Sequence, residues 1–277
     1  MNIDSITLRL IHLALEEDLG TGDITTRCVV TDDTEVSGHF IAKESGVICG
    51  LEIVRKVFHL LDERVVCNLR VKDGDEVSAG TLLAEVSGPA HAILGGERVA
   101  LNFLQRLSGI ATKTAQMVSL IQSTKLRIID TRKTTPGMRV LEKYAVRTGG
   151  GFNHRMNLSD GILIKDNHIK AAGGIIPAVK AARHKAPQTL KVEVEAETLE
   201  QVQQAIDAGA DIIMLDNMDV ETMTKAVEVI DGRALTEASG NMDQKDLLQV
   251  ARAGVDMVSI GALTHSVKAL DISLKFL

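Results

Sequence analysis

Between Asp130 and His168 the chain reads DTRKTTPGMRVLEKYAVRTGGGFNHRMNLSDGILIKDNH, and the stretch carries Arg132, Lys133, Arg139, Lys143, Arg147, His154, Arg155, Lys165 and His168. The whole chain has a formal net charge of -6, so this concentration of cations runs against the protein's own balance. Two cations about 6 Å apart repel by roughly 3 kcal/mol at an effective dielectric of about 20. Where several share a cleft, an anionic ligand is what offsets that repulsion. The TRKT and NHR groups sit against glycine runs and at strand ends, where such a cleft can form. Lys143 and Arg147, spaced i and i+4 on a helix, read instead as solvated surface, and Arg139 takes no assignment. Further on, Glu195 and Asp216 supply carboxylates that could bind a divalent metal, hold sugar hydroxyls or stabilise a developing positive charge. A salt bridge to a lysine is their plainest structural use. Ser239-Gly240-Asn241 and Ile260-Gly261-Ala262 offer small residues and backbone N–H groups of the kind that hold a phosphate.

The elements that must position these groups follow from the apolar spacing. Residues 5–17 read as an opening helix that stops at Gly20 and Gly22, and residues 25–50 as short strands joined by glycine turns. Helical spacing returns over 51–62, followed by the β unit VVCNLRVKDGDEVSAGTLLAEVSG with turns at Asp73-Gly74 and Ala79-Gly80. That unit lacks a lysine at a hairpin tip, which argues against a lipoyl-type or biotinyl-type carrier. GERVALNFLQRLSGIATKTAQMVSLIQS is helical, in two segments hinged near Ser108-Gly109. The texture then changes to six apolar β-type runs, LRIID, GILIK, LKVEVE, DIIMLD, ALTEAS and VDMVSIG, separated by amphipathic helices. Strand then helix, repeated, predicts a parallel sheet with right-handed crossovers, here a small or open (β/α) barrel. The expected fold class is therefore α/β. The strands end at Asp130-Thr131-Arg132-Lys133, Lys165-Asp166-Asn167-His168, Glu195, Asp216-Asn217, Ser239-Gly240 and Gly261-Ala262. Catalytic groups gather at that face of a barrel. Cations fall on the early strands, carboxylates on the middle ones and small residues on the last two.

Composition excludes several other functions. Hydrophobic residues make up 45% and charged residues 25%, an ordinary globular balance. With no Trp, one Tyr, five Phe and a negative net charge, the chain lacks both the stacking platforms and the basic footprint of a nucleic-acid binder. No apolar run approaches the roughly 18 residues that span a bilayer. MNIDSITLRLIHLALEEDLG lacks the basic start and continuous apolar core of a signal peptide. Cys28, Cys49 and Cys67 are odd in number and without a CxxC spacing, which points to buried free thiols in a reducing cytoplasm.

In order along the chain, EEDLGTGDIT, GERVALNFLQRLSGIAT, DTRKTTPG, GGGFNHRMNLSDGILIKDNH, VEVE, MLDN, EASGN and SIGALTHS closely resemble the quinolinate phosphoribosyltransferase family. The match covers essentially the whole chain, and the motifs are long and ordered. The resemblance implies an N-terminal α/β sandwich of residues 1–107, with the tail 266–277 packed on it, and an α/β barrel of residues 108–265. It implies transfer of phosphoribosyl from phosphoribosyl pyrophosphate (PRPP) to the ring nitrogen of quinolinate with loss of CO2. The products would be nicotinate mononucleotide and pyrophosphate, a step of NAD biosynthesis, with Mg2+ and no organic cofactor. Carried over by motif, Thr131, Arg132, Lys133, His154, Arg155 and Lys165 line the pocket for the dicarboxylate. Glu195 and Asp216 face the ribose and the metal. Ser239, Gly240, Asn241, Ile260, Gly261 and Ala262 surround the 5-phosphate. Lys133, Lys165, Glu195 and Asp216 would carry catalysis, with His154 acting through hydrogen bonds. Arg98 would reach the site of a neighbouring subunit in a homodimer or higher homo-oligomer, with no nucleic acid and no membrane involved. Asn241 departs from the glycine that many relatives would show. Three other readings are a molybdenum-transport-associated relative with the same framework, against which the intact NHR and IKDNH motifs speak, a Schiff-base aldolase using Lys165, and a non-catalytic binding module.

Overall fold

Asp4 begins the first helix by accepting the Thr7 N–H at 2.7 Å, and Ser5–Leu19 follows, in the computed structural model, which describes residues 3–277. Gly20 ends that helix at a φ of 52°. Residues 24–29 form a second helix, where strand texture was expected from Thr25. The reason is local: Asp23 accepts the Thr26 N–H at 3.1 Å and also bonds the Thr26 hydroxyl, so an N-cap overrides the β-branched residues behind it. Strands β1 (Glu35–Ala42), β2 (Gly46–Val47), β3 (Val66–Leu69), β4 (Glu76–Val77) and β5 (Leu82–Pro89) come next, with the helix Leu51–Leu61 between β2 and β3.

The chain divides into two compact units, the first comprising the sequence up to Ala115, Thr134–Gly150 and Leu263–Leu277. Its sheet has the order C-terminal strand (Ile272–Phe276), β1, β5, β3, with antiparallel pairing throughout. Helix Leu51–Leu61 buries Leu51, Ile53, Val54, Val57 and Phe58, and the Phe58 ring meets the edge of Phe40 at 6.1 Å between centroids.

Ala90–Leu120 is one continuous helix, which corrects the hinge expected near Ser108-Gly109. Ser108 does not compete for helical backbone. Its hydroxyl accepts the Cys49 N–H at 3.0 Å, and Gly109 lets the Lys268 carbonyl approach where a Cβ would stand. A glycine inside a helix costs about 1 kcal/mol in propensity, and this close approach is what it allows. Gly109→Ala should therefore destabilise the protein by about 1–3 kcal/mol despite alanine's better propensity, as read from urea midpoints. A rise in midpoint would show that the carbonyl moves aside.

Helix Arg139–Thr148 corrects a second expectation. Arg147 is exposed, but Lys143 is fully buried, as is Glu142 beside it. The segment buries Leu141, Ala145 and Val146 as well, so its inner surface is too wide for Lys143 to reach solvent. Glu142 takes Arg106 Nε at 2.9 Å and Nη2 at 2.5 Å, and accepts the Thr135 N–H at 3.1 Å. Tyr144 donates its hydroxyl to Asp73 at 2.8 Å.

The second unit, Gln116–Lys133 with Gly151–Ala262, holds β6 (Arg127–Ile129), β7 (Ile162–Ile164), β8 (Val192–Ala196), β9 (Ile212–Asp216), β10 (Leu235–Ser239) and β11 (Met257–Ser259). These form one parallel sheet in the order β6-β11-β10-β9-β8-β7. Phe152 adds a parallel bridge to Ile129 on the outer edge of β6, and the barrel stays open between that bridge and β7. Thr198 and Asp219 cap the helices Leu199–Ala208 and Val220–Ile230 through their side chains. No helix among the described residues is long and apolar enough to cross a membrane.

Candidate active site

Parallel register decides which side chains share a face. Ile164 pairs with Val194, so Lys165 and Glu195 come level at the C-terminal ends of β7 and β8. Their side chains meet at 3.0 Å, Nζ to Oε2. Asp216 is paired with Ser239 at the ends of β9 and β10. Burial raises the Glu195 carboxyl above its usual range, the Lys165 bond opposes this, and the nearby Asp216 charge adds to it. The two carboxylates therefore sense each other across one mouth. An ammonium held against Glu195 is also poorly disposed to act as the free amine of an aldolase.

Backbone conformation explains the small residues beyond. Asn217 adopts a φ of 55° and donates its amide to Asp216 at 2.8 Å. Gly240, with a φ of 96°, packs on the Asn217 side chain where no Cβ would fit. Asn241 has a φ of 51°, a left-handed conformation that asparagine tolerates nearly as well as glycine, so its departure from the resembling pattern leaves the turn intact. Ile260 corrects an expectation, because it is buried and its N–H donates to the Ile129 carbonyl at 3.0 Å. That donor belongs to the sheet ladder and is spent before any phosphate arrives.

The cations of the early strands converge from separate loops. Thr131 accepts the Lys133 N–H at 3.0 Å, turning the chain after β6 through half-buried Arg132 to exposed Lys133. Arg155 donates Nη1 to the Gly161 carbonyl at 2.7 Å, and Asp160 accepts the Met156 N–H at 2.7 Å, which ties down the loop leading to β7. Burial first, and the charge of Arg132 second, disfavour the charged form of Arg155. The Arg132 charge thus acts on a partly desolvated Arg155. Arg98 is exposed on the helix Ala90–Leu120 of the first unit.

Three buried acids had no assigned part in the sequence reading. Asp130, fully buried at the end of β6, accepts the His154 N–H at 2.9 Å and the Asn153 amide at 2.6 Å. Glu193 and Glu237 lie inside the barrel, and His154 Nε2 sits 3.1 Å and 3.7 Å from their Oε2 atoms. Alternation along KVEVE and LTEAS was the available signal, since each glutamate stands two residues before a site residue on the same strand face. A cavity of about 620 Å³ is lined by His154, Arg155, Glu193 and Glu237 together with Arg127 and Met257, the first residues of β6 and β11.

Strand-end cations facing a carboxylate pair and small-residue turns, on an open parallel barrel, define an enzyme that works on an anionic substrate. Family profiles place the chain further: residues 23–108 match the N-terminal domain and residues 110–275 the C-terminal domain of quinolinate phosphoribosyl transferase. The chain belongs to the quinolinate phosphoribosyltransferase family and is an enzyme of the phosphoribosyltransferase class. It is 48% identical over 266 residues to the probable nicotinate-nucleotide pyrophosphorylase [carboxylating] of Bacillus subtilis, covering 96% of this chain and 92% of that protein. It is 46% identical over 285 residues to the chloroplastic enzyme of that name from Arabidopsis thaliana, covering 96% and 81%. The crystal structure of NadC from Streptococcus pyogenes superposes with a TM-score of 0.93 at 43% identity, covering 100% of this chain and 99% of that one.

Proposed function

We propose that this protein transfers the phosphoribosyl group of PRPP to the ring nitrogen of quinolinate, with decarboxylation to nicotinate mononucleotide, pyrophosphate and CO2. The convergence of Arg132 and Arg155 carries the reading. Two guanidinium groups, with burial and the Arg132 charge working against Arg155, are suited to a dicarboxylate bound by two-point forks. Thr131, Lys133, His154 and Lys165 complete the anion pocket. As pyrophosphate departs, positive charge grows on the ribose C1, and Glu195 and Asp216 stabilise it electrostatically. The ribosylated ring nitrogen then accepts the electron pair released by the carboxylate carbon, so no organic cofactor is needed.

The donor set at the mouth fits Mg2+, a hard ion that takes one or two carboxylates plus substrate oxygens. Lys165 takes one oxygen of Glu195 and Asn217 one oxygen of Asp216, so each carboxylate keeps one oxygen that would hold the ion. When bound, the ion would neutralise charge on the leaving pyrophosphate. Ser239, Gly240, Asn241, Gly261 and Ala262 surround the 5-phosphate. Arg98 acts in the site of a neighbouring subunit of a homodimer, and the reaction runs in the cytoplasm.

The test is direct: protein, Mg2+, PRPP and quinolinate should yield CO2 and nicotinate mononucleotide. No product, or equal turnover of nicotinate, would overturn the assignment. Arg98→Ala and Lys165→Ala should each be inactive alone and partly active when mixed and reassembled. Inactive mixed dimers would place Arg98 in its own subunit's site.

A further inference from the structure

The His154 ring is held from both sides. Its Nδ1 accepts the Arg155 N–H at 2.7 Å, so the ring hydrogen resides on Nε2, and Nε2 lies 3.1 Å from Glu193 Oε2. Behind Glu193 stands Glu237, 1% exposed, with its Oε2 3.7 Å from the same Nε2 and a carboxylate oxygen within 4.8 Å of one on Glu193. Two carboxyl groups buried this close together repel if both are ionised, and a hydrogen held by one of them removes that repulsion. Burial first and the Glu193 charge second raise the Glu237 carboxyl well above the usual range, which makes Glu237 the donor. The order is then Glu237 O–H to Glu193, Glu193 accepting from His154, and His154 accepting from the Arg155 backbone. Asp130 fixes the other side of the same turn through the His154 N–H.

We infer that Glu193 and Glu237 are positioning residues, which lock the His154 ring and thereby hold Arg155 where a substrate carboxylate arrives. The inference rests on the dicarboxylate reading of the site. Neither acid touches substrate. Glu237 works through Glu193 and the ring, Glu193 also acts on Arg155 by its charge, and the pair anchors the Asn153-His154-Arg155 turn to the barrel interior. The same three side chains bring ligand atoms within 4.8 Å of one another, the donor set of a cation site. Ring chemistry decides against that use, because Nε2 carries a hydrogen aimed at Glu193 and has no lone pair to give a metal.

The experiment compares Glu237→Gln with Glu237→Met. Glutamine keeps an N–H donor toward Glu193, so quinolinate and PRPP KM values and kcat should stay within about threefold of wild type. Methionine keeps the volume and removes the donor. The quinolinate KM should then rise about tenfold or more, with the PRPP KM within twofold. Equal losses for Gln and Met, or parallel rises of both KM values, would overturn the inference. Because Glu237→Met could fail to fold, nitrogen-15 spectra of the wild-type histidine rings give a second reading that needs neither substrate nor variant. His154 should show a bare Nδ1 and a protonated Nε2, and the opposite tautomer would refute the chain of bonds. A stoichiometric divalent cation in the purified protein, lost in Glu237→Gln, would refute it as well. If wild-type protein fails to turn over quinolinate, the substrate reading falls, while the ring spectrum still tests the positioning.

Discussion

Arg132→Ala should raise the KM for quinolinate about 100-fold, roughly 2.7 kcal/mol, and leave the KM for PRPP within a few-fold. The size follows from what is removed. A guanidinium fork bound to a carboxylate supplies charge-assisted hydrogen bonds, and truncation leaves the substrate carboxylate facing a desolvated wall. The free protein should behave in the opposite sense. Arg132 opposes the charge of Arg155, so its removal also relieves a repulsion that no ligand offsets in the free protein. The melting temperature without ligand should stay level or rise slightly, while stabilisation by added quinolinate disappears. Steady-state kinetics and thermal melts with each substrate check both halves. Equal loss of affinity for quinolinate and PRPP would mean that Arg132 serves the shared mouth and not the dicarboxylate.

Glu142→Ala should cost about 3 kcal/mol of stability, the lower end of what breaking a buried ion pair costs. Glu142 is fully buried, whereas the Arg106 side chain keeps 30% of its exposure and retains bonds to the Thr135 hydroxyl at 2.6 Å and the Thr264 carbonyl at 3.2 Å. The guanidinium is therefore left with partners, but the Thr135 N–H loses its acceptor. For a chain of this length the melting temperature should fall by roughly 6–12 °C. Arg55→Ala provides the contrast, since it breaks an exposed i,i+3 pair with Glu52 and should leave the melt unchanged. If both variants melt together, the buried pair contributes no more than a surface one.

The legible parts of the fold were those with one strong local signal. Each barrel strand is a short apolar run between polar turns, so all six could be counted and their ends read. The hinge at Ser108-Gly109 was misread because glycine has two uses, a break or a close approach, and only the position of Lys268 distinguishes them. Lys143 was read as surface because its type and spacing are those of a wet helix face, and nothing nearby in sequence announces burial. Residues at strand ends were visible because polarity there is unusual in kind. Glu193 and Glu237 were hidden by the opposite effect. A polar residue alternating with apolar ones reads as facing water, whereas in a sheet curled into an open barrel that face is the interior. Their pairing with His154 depends on strands distant in sequence, and no spacing rule reaches that far.

The bond from Tyr144 to Asp73 gives the protein a private optical probe. The chain has one Tyr and no Trp, so near-ultraviolet absorbance on the long-wavelength side of the five Phe bands reports a single side chain. Burial first, and the Asp73 bond second, raise the Tyr144 hydroxyl far above the usual phenol range. Phenolate should therefore form in alkaline solution only as this neighbourhood opens, and its absorbance counts opened molecules. Tyr144 and Asp73 both belong to the first compact unit. An optical melt follows that unit alone, with the parallel barrel spectroscopically dark beside it. Far-ultraviolet dichroism sees both, and any gap between the two curves would measure how independently the halves come apart.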